Sequence, residues 1–414
     1  MRIKVTYLAL LLATPGHAAV DETEFDEMQA QMNNLLRRMA ALEAENAQLR
    51  EAVEDAGRTR EHMYAAAAKR AQGHWGDSLR INGDFRYRYE EIDIESRDVR
   101  SRHRLRARAG FVAQLPRDIE VGLRIEAGHE APPSGNTTLG GGGSSKELFL
   151  DRAWATWRPF EGAYLTGGKM QNTFFRPVSS GLLWDSDYNP EGIAFGWSND
   201  QLFVNVAAIA LESDSNRANR TFYYGLQGGL HASLSDTITV AAGAGFIDLP
   251  VQGQTVFYGG EDDFYGNSFT CDTGGECTYN HNFEELEVFS SLTYTGFKWP
   301  LEVFAHQVSN LDADEHDSGW ILGTRLGKAT TAGSWQIGYQ YERVEADAVF
   351  GLLRDSNVAG GGTDVRGHKL TATWAMDRQW QLAASIYVDN ESGENTLGAD
   401  RDFDRVVLDT VFKY

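Results

Sequence analysis

"VRSRHRLRARAG", residues 99–110, places arginine at every second position: Arg100, Arg102, Arg104, Arg106 and Arg108. A period of two is that of a β-strand, whose successive side chains point to opposite faces. One face of this strand is therefore a column of guanidinium groups, and the other carries Leu105, Ala107, Ala109 and Phe111. The segments on either side repeat the division. Arg80, Asp84, Arg86 and Arg88 alternate with Ile81, Phe85, Tyr87 and Tyr89, and Arg124 stands among Ile119, Val121, Leu123 and Ile125. A strand with lipid on its apolar face and water on its charged face satisfies both sets. Arginine turned toward lipid would cost about 2–4 kcal/mol at mid-membrane.

The same period runs from Leu79 to Tyr414. It resolves into sixteen segments, the first at 79–92 and the last at 403–414, separated alternately by short and long breaks. Short breaks include "PRD" (116–118), "ND" (199–200) and "MDRQ" (376–379); long ones include 129–146, 171–190, 248–283, 345–365 and 389–402. Tight turns at one end and long loops at the other predict a transmembrane barrel of about sixteen antiparallel strands. A mean hydropathy of −0.41 is compatible, because lumen-facing residues dilute the lipid-facing ones. Trp75, Trp157, Trp197, Trp299, Trp320, Trp335, Trp374 and Trp380 fall near segment ends, as interfacial girdles require. Val406, Leu408, Thr410, Phe412 and Tyr414 share one face of the last segment, which resembles the closing strand of Gram-negative outer-membrane barrels.

The first 72 residues are of another kind. "MRIKVTYLALLLATPGHAA" has a basic start, a short apolar run and small residues before Ala18, which predicts a signal peptide over 1–18. In the segment 19–72, Met32, Met39, Asn46 and Val53 take heptad position a, and Met28, Leu35, Leu42 and Leu49 position d. This narrow stripe predicts a parallel coiled-coil stalk with Asn46 fixing register. A linker over 73–78 leads to a barrel domain over 79–414. The stalk points to self-association, with Met32, Leu35, Met39, Leu42, Asn46, Leu49 and Val53 at its seam, whose residue types do not choose between two and three chains, and to peptidoglycan or other periplasmic partners.

Cys271 and Cys277 flank "DTGGE"; in an exported chain they predict a disulfide closing a small loop. No metal site or cofactor motif is present. "LGGGGSSK" (139–146) lacks the spacing of a phosphate-binding loop, and "DADEHD" (312–317) lacks the glycine and final glutamate of a calcium loop. No local catalytic motif appears, so an enzyme is not expected, although a spatial Ser/His/acid set would escape a linear reading. A net charge of −21 speaks against nucleic-acid binding.

"GDFRYRYEE" (83–91), "RHRLRARAGF" (102–111), "LDRAWATW" (150–157), "GGKMQNTFFRP" (167–177) and "LLWDSDYNPEG" (182–192) resemble the "putative porin" family of Gram-negative outer-membrane proteins. The resemblance spans residue 77 to the end. It implies a porin in contact with outer-membrane lipid and lipopolysaccharide, with its stalk in the periplasm, and passive diffusion of small polar solutes and ions; it identifies no solute. By analogy with sixteen-stranded porins, the chain forms a homotrimer and the third long connection, 171–190, folds inward. The expected pore lining is Arg86, Arg88, Arg104, Arg106, Arg108 and Arg124 on one side and Asp185 and Asp187 on the other. Such a pair of walls would set a transverse field across a constriction and give a modest anion preference. In a second role the arginines brace the wall through carboxylates such as Asp84 and Glu126. The alternative function is a structural tether, with a plugged or narrow barrel and a stalk on the cell wall.

Overall fold

A computed structural model describes residues 78–213, 221–396, 398 and 400–414, together with Arg38 and Leu42, both helical and exposed. The signal peptide, Trp75 and the stalk seam other than Leu42 lie outside the described residues. Contacts divide the chain into two units, Met1–Gly73 and His74–Tyr414, and the second of these is the barrel.

Sixteen strands form the wall: β1 Leu79–Ile94, β2 Arg100–Leu115, β3 Ile119–Ala127, β4 Phe149–Trp157, β5 Ala163–Lys169, β6 Glu191–Ser198, β7 Leu202–Glu212, β8 Thr221–Ser235, β9 Ile238–Leu249, β10 Phe283–Tyr294, β11 Leu301–Asn310, β12 Ser318–Gly327, β13 Trp335–Val344, β14 Val365–Ala375, β15 Trp380–Ser392 and β16 Arg401–Lys413. Each lies within four residues of its expected ends. Every strand pairs antiparallel with its sequence neighbour, and β16 pairs with β1, so the sheet closes. Closure leaves no unpaired edge, which is the condition for β-structure in hydrocarbon. Among the described residues no helix is long and apolar enough to cross a membrane.

The faces divide as the alternation requires. Ile81, Phe85, Tyr87, Val121, Leu123, Phe195, Leu226, Val303 and Leu408 are exposed on the outer wall, whereas Arg88, Arg104 and Arg106 on the inner wall are buried. So wide an apolar surface on a monomer implies lipid around it. Trp157, Trp299, Trp374 and Trp380 are exposed beside the short turns, and Trp299 packs on Trp335 at 5.1 Å between ring centroids. Trp320 lies at the opposite end, against Tyr341 at 5.3 Å. Cys271 and Cys277 are disulfide-bonded and close a small hairpin within the 250–282 loop.

The seam between first and last strands is tightly fitted. Phe85 stands opposite Phe412 and Arg88 opposite Asp409. Gly83 and Tyr414 exchange both backbone hydrogen bonds, at 3.0 and 3.1 Å, and the Tyr414 hydroxyl donates to the Arg108 carbonyl at 3.0 Å. Gly83 makes room for that ring: a Cβ there would lie 2.6 Å from the Tyr414 ring and 2.2 Å from the Arg108 carbonyl oxygen. Overpacking of this sort costs about 1–3 kcal/mol. Gly83→Val is therefore expected to lower the folded fraction, measured by heat-modifiable gel mobility after refolding into lipid. Gly167→Ala, where a Cβ meets nothing nearer than 3.9 Å, is expected to refold like the native protein.

Candidate functional site

Long connections turn into the barrel and fill much of its upper half. In the 170–190 connection, Leu182, Leu183, Trp184 and Tyr188 are buried; in the 345–364 connection, Phe350, Leu352 and Leu353 are buried beside them. Tyr223, Ile247, Phe283, Val308, Ile321 and Val344 of the wall complete this apolar cluster. Trp184 stacks between Phe174 and Tyr188 at 5.8 and 5.7 Å. Gly225 of β8 admits Phe174, since a Cβ there would lie 2.3 Å from the ring. The residue types explain the inward turn: apolar side chains in a loop of this length need a surface to bury against, and water offers none.

Polar bonds then lock the two connections. Gln227 accepts from the Phe175 N–H at 2.7 Å and donates to the Phe175 carbonyl at 2.9 Å. Asn267 donates to the carbonyls of Ala346 and Val349 and accepts from the Gly351 N–H at 2.9 Å. Buried Arg354 is paired with Glu342. Ser180 Oγ lies 3.0 Å from His306 Nδ1, and His306 Nε2 lies 2.8 Å from Glu287. This is a spatial serine–histidine–carboxylate set of the kind a linear reading misses. Its three members are 1–3% exposed, and the chain of bonds ties the loop to the wall.

All six arginines of the expected lining point inward, and each has a polar partner. Arg106 bonds Asp84 at 3.0 Å and Asp187 at 2.6 Å; Arg108 bonds Asp84 at 2.6 Å; Arg88 bonds Asp409 at 2.8 Å. Arg86 donates to Asn136 and lies 3.8 Å from Asp187. Arg104 donates to the Asn136 carbonyl at 2.7 Å, and Arg124 is paired with Asp151. Asp187 thus does not face the arginines across a gap, as the sequence led one to expect; it is bonded to them and fastens the loop to the wall. Asp185 is not brought to the arginines. Its carboxylate accepts from the Ser356 N–H at 3.0 Å, and its own N–H donates to the Leu353 carbonyl at 2.8 Å, which joins the two connections. Arg104 and Arg106, at 8% and 7% exposure, act here as braces beneath the loops.

Two cavities border the 170–190 connection away from these arginines. A vestibule of about 900 Å³ near the short turns is lined by His231, Ser233, Thr239, Ser291, Thr293 and Glu302. It shares Arg176, Val178 and Ser179 with a cavity of about 270 Å³ walled by β11–β14. The charged groups of that cavity are Arg176, Arg325, Lys369 and Asp355. None of these was singled out from sequence; Arg325 and Lys369 lie on unremarkable strands, and only the barrel's curvature brings them together. Val178 has φ of 49°, rare for a β-branched residue, and its carbonyl accepts from Arg325 at 2.6 Å.

The sequence profile of the "putative porin" family matches residues 93–255 and 263–413. The chain belongs to that family. A search of curated protein sequences returns no match. Among solved structures, the high-pH form of Pseudomonas putida OprB is similar at 11% identity and a TM-score of 0.56, over 82% of this chain and 95% of that one. Two mutants of the Rhodopseudomonas blastica porin align over 81% of this chain and all of theirs, at 10% and 12% identity, with TM-scores of 0.48 and 0.46. The likeness to OprB is one of fold. This porin is an outer-membrane β-barrel whose membrane-crossing elements are strands.

The loop clamp generates two expectations. Burial opposes ionisation of Asp187, but Arg106, Arg86 and Arg108 outweigh it and hold the carboxyl well below the usual range. Removing one partner of such a buried pair costs about 3–5 kcal/mol. Asp187→Asn is expected to lower the unfolding temperature and make the loop susceptible to protease. Asp185 behaves oppositely: burial, then the charges of Asp355 and Asp187, push it up to about 7. An unfolded aspartate titrates near ~3.9, so the folded protein retains a proton that the unfolded chain releases. Docking of the two connections is strongest below that unfolded value and weakens as pH rises toward 7. Limited proteolysis from pH 4 to 8 is expected to show cleavage of the loops rising through this window, and Asp185→Asn to flatten the profile.

Proposed function

We propose that this porin is an open, water-filled channel for passive diffusion of small polar solutes and ions, with a modest preference for anions, and that it is not an enzyme. The observation that carries the charge preference is an imbalance on the inner wall. Arg86, Arg88, Arg102, Arg104, Arg106, Arg108, Arg124 and Arg405 share six carboxylates: Asp84, Glu90, Glu126, Asp151, Asp187 and Asp409. Low-dielectric walls focus the residual positive field on the lumen. Acidic residues in water at the mouth, such as Glu261, Asp262 and Asp263, are screened within about 8 Å at physiological salt. The polar vestibule supports a wet passage, and burial of the Ser180–His306–Glu287 set supports a non-catalytic reading. Short turns and the stalk would face the periplasm, and the stalk would hold three copies together.

The loops that fill the upper lumen are also what the tether reading calls for, so conductance is the deciding measurement. Folded protein in planar bilayers is expected to give stepwise openings and a reversal potential displaced toward anions in a salt gradient. Replacing Arg104, Arg106 and Arg108 together with glutamine is expected to shift that potential toward cations, because Asp84 loses both its arginines and Glu90 and Asp187 lose some of theirs. Well-folded protein without stepwise conductance favours the tether.

A further inference from the structure

We propose that the cavity between the 170–190 connection and β11–β14 is a binding station for a small hydroxylated monocarboxylate. The inference rests on the channel reading and assigns a solute class and a locus to it.

Charge sets the valence of the solute. Three cationic side chains line the cavity: Arg176 from the loop, Arg325 from β12 and Lys369 from β14. Lys369 lies 3.6 Å from Asp355, and Arg325 lies 3.7 Å from Glu302. Arg176 has no carboxylate within 4 Å among the described residues; one of its nitrogens donates to the Trp184 carbonyl at 3.0 Å. Two cations are thus paired at contact and Arg176 is not; Asp185, Asp355 and Asp187 act on it only at longer range, so the cavity keeps a positive excess of at most about one unit. A monoanion matches it, and a dianion overfills it. The planar fork of arginine favours a carboxylate.

The rest of the lining sets the chemistry of the remainder. Ser179, Ser186, Gln340 and Thr371 present hydroxyl and amide groups, which both donate and accept. They suit a chain of hydroxyls and offer little to an alkyl tail. A volume of about 270 Å³ holds the carboxylate and the first hydroxylated carbons, while a longer chain extends past Ser179 into the vestibule. The station is built in advance. Val178 is held in the left-handed region, and Arg325 clamps its carbonyl from across the lumen, so the loop tip that carries Arg176 cannot relax without breaking that bond. Preorganised charge of this kind lowers the ordering cost of binding.

Gluconate and sorbitol make the test, since both are open six-carbon chains with the same hydroxyl configuration and differ in a carboxylate against a terminal CH2OH. Labelled flux into proteoliposomes of the full chain, made permeable to potassium, is expected to favour gluconate by about tenfold, the lower end of the gain that charge focusing supplies. Arg176→Gln is expected to bring the ratio to about one, Arg176→Lys to preserve most of the preference, and Arg325→Gln to reduce it. Each variant is checked for heat-modifiable mobility. A native protein that conducts potassium chloride but passes gluconate no faster than sorbitol overturns the station and leaves the channel standing. Inorganic phosphate outpacing gluconate overturns the assignment to a monocarboxylate. Absence of chloride conductance overturns the channel reading itself.

Discussion

The pairing of β1 with β16 is the constraint on which the rest depends. A sheet in hydrocarbon tolerates no open edge, so two strands more than three hundred residues apart in sequence must meet in register. The seam is secured on both faces. Outside, Phe85 stands against Phe412 and Tyr414 covers Gly83. Inside, Arg88 pairs with Asp409, and Glu90, fully buried, gathers Arg102, Arg104 and Arg405. A carboxylate so buried is tolerable only with that many charge-assisted bonds. The seam and the arginine wall are thus one ionic network.

That network also determines where the lumen stays open. Asp187 is drawn onto Arg86, Arg106 and Arg108, while Ser180 and Val178 are held by His306 and Arg325, so the 170–190 connection is fastened to β1–β2 at one end and to β11–β12 at its tip. The apolar side of the same connection sinks into the cluster with 345–364. Space is left on the β11–β14 side, next to Arg176, Arg325 and Lys369. A dense arginine column in the sequence therefore ends as scaffold, and sparser cations elsewhere become the groups that meet solutes. Crowded arginines attract carboxylates, so most of their charge is spent on the wall and the loop and only the excess over six carboxylates is left to act on the lumen.

Strand number, strand limits and the inward and outward faces were legible in the sequence, because a period of two and the alternation of short and long breaks are local properties of the chain; the inward turn of 171–190 came from the resemblance to sixteen-stranded porins. Asp187 was legible as a charged member of the site but not as a brace, since its partners lie on strands some eighty to a hundred residues earlier. The entry of 345–364 into the lumen was not legible: its apolar residues carry no periodicity, and their burial depends on a cluster that only the closed barrel supplies. Glu90 and Arg405, Ser180 and His306, and Arg325 and Lys369 have no spacing that links them. The sequence by itself determined a closed wall of about sixteen strands and which of its side chains turn inward. Which charges cancel and which face the passage was decided by tertiary structure, because closure and loop docking set distances that no local pattern encodes.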